Sequence, residues 1–293
     1  MKSLKSNIIQ LIHLFIFAVF LSASPLASQD SPFKLIVRGD DMGFSHSANL
    51  AAIKAYKEGI MRSVEVIVPG PWFPEAARLL RDNPGLDAGV HLDLTSEWEN
   101  LKWGPITHAP SISTSDGKFY STIWPDKDLP PHSDFRSAGW SLAEVESELR
   151  AQIELAKKEL PTLTHISAHM GCLNDDPRLK ELGEKLAQDY GLPLELKGVP
   201  ELPAFNEADK SFDAKRHTLI HAIENITPGV WLVIEHPALD SSEMRAIGNG
   251  HAWNIAEERS DITRLFTDEK VKQVIAQRHV QLISYGEFYR RHE

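Results

Sequence analysis

Four stretches of this chain set carboxylates or histidines at the ends of apolar runs. KLIVRGDD delivers Asp40 and Asp41, and GVHLDL carries His91 and Asp93. THISAH carries His165 and His169, and VWLVIEH ends in Glu235 and His236. Adjacent carboxylates repel each other, so a bland fold has little reason to gather them at one spot. A metal ion or a proton transfer gives both of them work. One Asp with two His suits Zn²⁺ or a similar divalent ion, with positions left open for water and substrate. Such an ion polarises a carbonyl and lowers the pKa of water. A second carboxylate can take the proton of that water, and a histidine can supply one near neutral pH. Together these are the parts of a metal-assisted, acid–base hydrolysis.

Each residue also has a structural reading. Asp40 and Asp41 can cap the next helix or hold the turn at Gly43. A lone His91 is more often a hydrogen-bonded structural histidine than a ligand. His165 can simply close a strand, and His236 before Pro237 can shape a turn. Their joint placement favours chemistry. Use of both aspartates then demands a sharp bend, because strand neighbours point to opposite faces. Gly39 and Gly43 make that bend tolerable. By the same rule His165 and His169 need not both point inward. Other motifs are absent: no G-x-G-x-x-G follows the first strand, and there is no phosphate loop, H-E-x-x-H or G-x-S-x-G.

The elements that must position these groups alternate. Strands are expected at 33–37, 63–68, 89–94, 163–168, 230–235 and 280–284, with a weak one at 193–196. Helices are expected at 49–58, 73–81, 142–160, 177–189, 217–225 and 269–278. This alternation argues for parallel α/β units. We expect a single (β/α) barrel, irregular or seven-stranded, over 28–293; a doubly wound open sheet is the alternative. In a barrel, polar residues at the carboxyl ends of strands meet at one mouth. Between 95 and 139 the pattern breaks into a long loop excursion with Trp98, Trp103 and Trp124, and Trp140 lies just beyond. Such aromatics can stack on a sugar ring, or they can pin the loop to the body.

The chain has 293 residues, 41 acidic and 31 basic, for a formal charge of -10. No basic footprint for nucleic acid is visible, so nucleic acid is not an expected partner. Residues 1–27 resemble a secretory signal peptide: Lys2 and Lys5, an apolar run over 8–21, then small residues ending at Ala27. A retained anchor is the competing reading, but the run is short against the roughly 20 residues a membrane span needs. We expect no stable membrane insertion after cleavage, and a secreted or periplasmic protein. Cys172 is the only cysteine, so no internal disulfide supports the fold.

Over residues 34–288 the chain resembles the YdjC-like carbohydrate deacetylases, also called the ChbG family. The resemblance rests on VRGDDMGFSHSANLAAIKAYKEGIMRSVEVIVPG, GVHLDLT at 89–95, THISAH at 164–169, EHPA at 235–238, Arg259 before Asp261, and VQLISYGEF. It implies a barrel related to the glycoside hydrolase and polysaccharide deacetylase barrels, and one divalent ion, Zn or Mg. It implies that Asp41, His91 and His169 bind that ion. Asp40 then acts as base toward a metal-activated water, and His236 protonates the leaving amine or steadies the oxyanion. The substrate implied is a short amino-sugar oligosaccharide that loses an N-acetyl group. The chain departs from the family pattern at Ser167 and Ala168, where Asp and Ser are usual. It departs again at Met170-Gly171 and at Pro237-Ala238. These changes spare the expected ligands and alter their surroundings. Two alternatives remain: a hydrolase of a non-sugar amide or ester on the same barrel, or a catalytically impaired secreted glycan-binding protein.

Overall fold

The computed structural model describes residues 31–160, 163–194, 196, 198–203, 205, 209–248 and 254–290. The signal-like segment 1–27 lies outside the described residues.

Among the described residues, six strands form one parallel sheet: β1 (Phe33–Met42), β2 (Ser63–Val66), β3 (Asp87–Leu92), β4 (Leu163–Ala168), β5 (Gly229–Glu235) and β6 (Gln281–Ile283). Their order is β4-β3-β2-β1-β5, and β6 pairs with β1. β6 and β2 share one edge of β1. β6 pairs Lys34 to Ile36, and β2 takes over from Arg38. Among the described residues, no regular seventh strand closes the sheet. The expected strand at 193–196 is reduced to one bridge, Leu194 with Ile166, and residue 195 lies outside the described residues. A second bridge joins Glu201 to Leu232 of β5. Leu194 and Glu201 thus touch the two outer strands through single bridges, giving a curled, incompletely closed barrel.

Nine helices are described: α1 (His46–Lys57), α2 (Phe73–Arg81), α3 (Leu142–Glu159), α4 (Pro177–Tyr190), α5 (Phe212–Asn225), α6 (Ser242–Arg245), α7 (Ile255–Phe266), α8 (Glu269–Gln277) and α9 (Tyr285–Arg290). Their ends follow local chemistry. The Ser45 hydroxyl accepts from Ala48 N at the start of α1. α4 starts on an Asp176 cap with Pro177 in its first turn, and Gly191 in a left-handed conformation ends it. α7 was not expected from sequence, although it buries Ile255, Ile262, Leu265 and Phe266. No helix among the described residues is long and apolar enough to cross a membrane.

The barrel interior is layered. At the bottom, Ile36, Leu232, Ile283 and Tyr285 form a small apolar cluster. One step along the strands, the interior turns charged with Arg38, Glu65 and His165, all buried. The next step brings Asp40, His91 and Ser167, also buried. Strand register explains the rows: Glu65 pairs Gly89, which pairs His165, and His91 pairs Ser167. Residues two apart on a strand share a face, so both rows point inward.

Candidate metal centre and catalytic cleft

β1 runs further than its apolar stretch suggests. It continues through Asp40 and Asp41 to Met42. The bend required for both aspartates to face inward falls on Asp41 itself, whose φ is 70°. Aspartate tolerates this left-handed conformation better than most residues, at a cost of order 1 kcal/mol. Gly43, with φ 104°, completes the turn. A side chain at Gly43 would strike the Ile67 carbonyl at 2.6 Å. Gly39 serves instead as a close approach, since a Cβ there would meet Met61 Sδ at 2.5 Å.

The bend brings Asp41 to His91 from β3 and His169 from the turn after β4. One donor atom from each lies within 4.8 Å of the others, and all three residues are buried. Asp41 Oδ1 is buried and accepts no well-formed hydrogen bond from the described residues. It faces His169 Nδ1 at 3.2 Å and His91 Nε2 at 3.7 Å. A buried carboxylate oxygen ringed by imidazole nitrogens fits a divalent cation, which the donor types also suit. The other oxygen, Oδ2, accepts from Arg259 Nη2 at 2.9 Å. That guanidinium lies over the rings of Phe44 and Trp98, at 5.0 and 5.4 Å.

The electrostatics differ around the two histidines. Burial pushes the His91 imidazole down to about 4, against the pull of Asp40. Burial would lower His169 too, but the carboxylates of Glu97, Asp93 and Asp41 outweigh it and raise it well above its usual value. A proton and a cation therefore compete for His169. Burial alone would raise Asp41; the charges of His236, Arg259 and His169 hold it well below the carboxylate range instead.

Asp40 sits beside this cluster, its Oδ2 3.7 Å from His91 Nε2. Arg38 grips it at both oxygens, with Nε at 2.6 Å and Nη2 at 2.7 Å. Each carboxylate oxygen keeps a lone pair free. His236 stands on the open side, 3.9 Å from Asp41 Oδ2, with 43% of its side chain exposed. A cavity of about 920 Å³ runs from His236 and Arg259 past Glu235, Lys215, Asp261 and Phe205.

All five residues singled out for chemistry thus lie together: Asp40, Asp41, His91, His169 and His236. Three other polar residues at strand ends do not join them. Asp93 accepts from Thr95 N at 2.9 Å and Trp103 Nε1 at 2.6 Å, so it ties down the excursion. Its burial pushes it up to about 7. His165 lies in the row beneath, and Glu235 in the adjoining cleft. Trp98 and Trp103 are buried, which is the pinning role. Trp124 alone among the excursion's tryptophans stays open, at 43%.

Sequence reasoning missed Arg38, Glu65 and Glu97. Arg38 was legible as the residue two before Asp40 on one strand face. Glu65 was legible as the single charge in SVEVIV, a strand buried at every position. Glu97 gave no local signal. It comes from the excursion, and its Oε2 lies 3.2 Å from His169 Nε2.

The family model described as "YdjC-like protein" matches residues 34–277. A carbohydrate deacetylase of Geobacillus stearothermophilus is 28% identical over 266 residues, spanning 88% of this chain and 99% of that protein. A carbohydrate deacetylase of Brevibacillus brevis is 27% identical over 269 residues, spanning 87% and 99%. Among solved structures, a putative cellobiose-phosphate cleavage protein from Enterococcus faecalis superposes with a TM-score of 0.70. It shares 24% identity and is covered over 99% of its length by 88% of this chain, a likeness of fold.

Proposed function

The chain belongs to the YdjC-like protein family, and on that footing we propose that it is a metal-dependent hydrolase removing the N-acetyl group of a short amino-sugar oligosaccharide. The observation that carries this is the buried Asp41–His91–His169 cluster, flanked by Asp40 and opening beside His236 onto the cleft. The names of the carbohydrate deacetylases it resembles support the sugar.

A divalent ion held by Asp41, His91 and His169 supplies Lewis acidity toward the amide carbonyl and the attacking water. Asp40 takes the proton of that water as a new C–O bond forms. The two-point grip of Arg38 fixes its orientation, so no rotation is needed during reaction. His236, on the cleft side, gives a proton to the departing nitrogen as the C–N bond breaks. The products are acetate and a free amine. Arg259 holds Asp41 Oδ2 and leaves Oδ1 facing His91 and His169.

We assign this chemistry to the periplasm or the medium, on the strength of the signal-like sequence at 1–27. Fractionation of cells producing the full chain should find the mature protein outside the cytoplasm, shortened at its N-terminus. The reaction is tested by acetate release from a panel of N-acetyl sugars and simple acetate esters, with metal supplied and then chelated. Release from an N-acetylated oligosaccharide that stops on chelation is the expected result. Turnover of esters alone would point to the ester-hydrolase reading. Glycan binding without turnover would point to the impaired-site reading.

A further inference from the structure

Behind His91 stands a chain of buried groups that the hydrolytic steps do not use. His91 Nδ1 lies 2.7 Å from the Ser167 hydroxyl. That hydroxyl in turn donates to Glu65 Oε2. Glu65 Oε1 is 2.5 Å from His165 Nε2 and 3.5 Å from Arg38 Nε. Glu65, His165 and Ser167 are fully buried. Gly89 makes room for them: a Cβ there would come within 2.4 Å of Glu65 Oε2 and of His165 Nε2.

We propose that Glu65, acting through the Ser167 hydroxyl, fixes His91 in the tautomer protonated on Nδ1 and so presents the Nε2 lone pair to the metal site. The argument is a count of protons. A serine hydroxyl has one proton to donate. An ionised carboxylate only accepts, so Ser167 must spend that proton on Glu65. The Ser167 oxygen then faces His91 Nδ1 as an acceptor, and Nδ1 must carry the hydrogen. In a neutral imidazole the other nitrogen, Nε2, is left unprotonated. Nε2 is the nitrogen that faces Asp41 Oδ1. The ionised state of Glu65 follows from its surroundings. Burial alone would raise its pKa, but His165 and Arg38 outweigh burial and hold it well below the usual carboxylate range.

His169 shows the opposite solution. Glu97 contacts its Nε2 directly, so Nδ1 is the nitrogen turned to Asp41. One histidine is oriented by a carboxylate in contact, the other by a carboxylate one hydroxyl away. Glu65 and Ser167 are positioning residues: they touch neither substrate nor reacting atoms. The inference rests on the metal-site reading given above but not on the substrate.

The test uses metal-free full chain labelled with ¹⁵N at histidine, with His91 assigned by comparison with His91→Gln. Long-range ¹⁵N–¹H spectra at neutral pH should show His91 Nδ1 protonated and Nε2 bare. Ser167→Ala removes the acceptor, so the proton should move largely to Nε2. Metal affinity should then fall about 10- to 100-fold, as for other outer partners of a ligand histidine. Glu65→Gln should shift the tautomer in the same direction while leaving the hydroxyl in place. If Glu65→Gln fails to fold for loss of its partnership with Arg38, Ser167→Ala carries the test. Ser167→Thr keeps the hydroxyl and should keep the wild-type tautomer. An unchanged His91 tautomer in Ser167→Ala would overturn the relay, whatever happens to activity. Failure of the wild type to release acetate would instead strike the deacetylase reading and leave the tautomer result standing.

Discussion

Glu65 and Glu235 are both carboxylates on barrel strands, and their surroundings drive them in opposite directions. Glu65 lies beneath the metal cluster with Arg38, His165 and Ser167 around it, and is held ionised. Glu235 lies at the mouth, and burial pushes it up to about 7. Asp40 adds to that rise, while Lys215 and Arg259 only partly oppose it. Beneath the cluster, each of those polar groups is answered by another at short range. At the mouth, Glu235, Lys215, Asp261, Arg259 and His236 line a cavity. The floor fixes ligand atoms before any metal arrives, which is where preorganisation helps most. The mouth must exchange substrate and product, and His236 there keeps 43% of its side chain exposed.

The largest expected effect comes from removing a floor ligand. His91→Ala should lower metal content from about one ion per chain to a small fraction, read by elemental analysis after loading. Lewis-acid assistance is worth several kcal/mol, so acetate release should fall about 10³-fold or more. Unchanged metal affinity in His91→Ala would remove His91 from the centre and break the contrast between floor and mouth.

Asp40 sits on the border between the two regions. Asp40→Asn should keep the metal and lose about 10²- to 10⁴-fold in turnover, the usual worth of a general base. Asp41→Asn should weaken metal binding itself. If both variants lost metal alike and recovered with excess metal, the division of labour between the two aspartates would be wrong.

At the mouth, His236→Ala should bind metal normally and slow the amide more than an activated acetate ester. An ester whose leaving group needs little protonation should be spared by roughly 10- to 100-fold relative to the amide. Equal losses on both substrates would shift His236 from leaving-group protonation to stabilisation of the oxyanion.

Much of this was legible because strand periodicity is strict. GVHLDL and THISAH set His91 and Ser167 on matching faces as soon as β3 and β4 pair. The need for a bend at Asp40-Asp41 was readable from alternation alone, although its location on Asp41 was not. Partners supplied from far along the chain were not readable. Glu97 reaches His169 only because the excursion folds back, with Trp103 anchored on Asp93. Arg259 reaches Asp41 from α7 across 218 positions of chain. Barrel closure was also hidden, because the described residues between β4 and β5 contribute single bridges rather than a ladder. The chain's departure at Ser167 gains a physical meaning only once Glu65 is seen behind it.

The smallest expected effect concerns stability and tests the mouth directly. The Glu235 carboxyl has a pKa of about 7 in the folded chain, against 4.5 for an ordinary glutamate. Between these values the folded state holds a proton that the unfolded chain has released. Stability from this group is therefore fully present below about 4.5 and is lost as pH rises through about 7. Glu235→Gln abolishes that dependence. A raised carboxylate of this kind carries about 1 to 3 kcal/mol, with the lower end expected beside a wet cavity. Urea unfolding of metal-free wild type and Glu235→Gln at mildly acidic and mildly alkaline pH gives the comparison. The variant should gain on the wild type as pH rises, and the gap should be smallest in acid. Glu65 makes the control: its folded pKa is depressed, so its contribution to stability is kept above the ordinary carboxylate range and lost only in strong acid. A constant gap between Glu235→Gln and the wild type across that range would mean that Glu235 is as well answered as Glu65. The floor and the mouth would then hold their carboxylates alike.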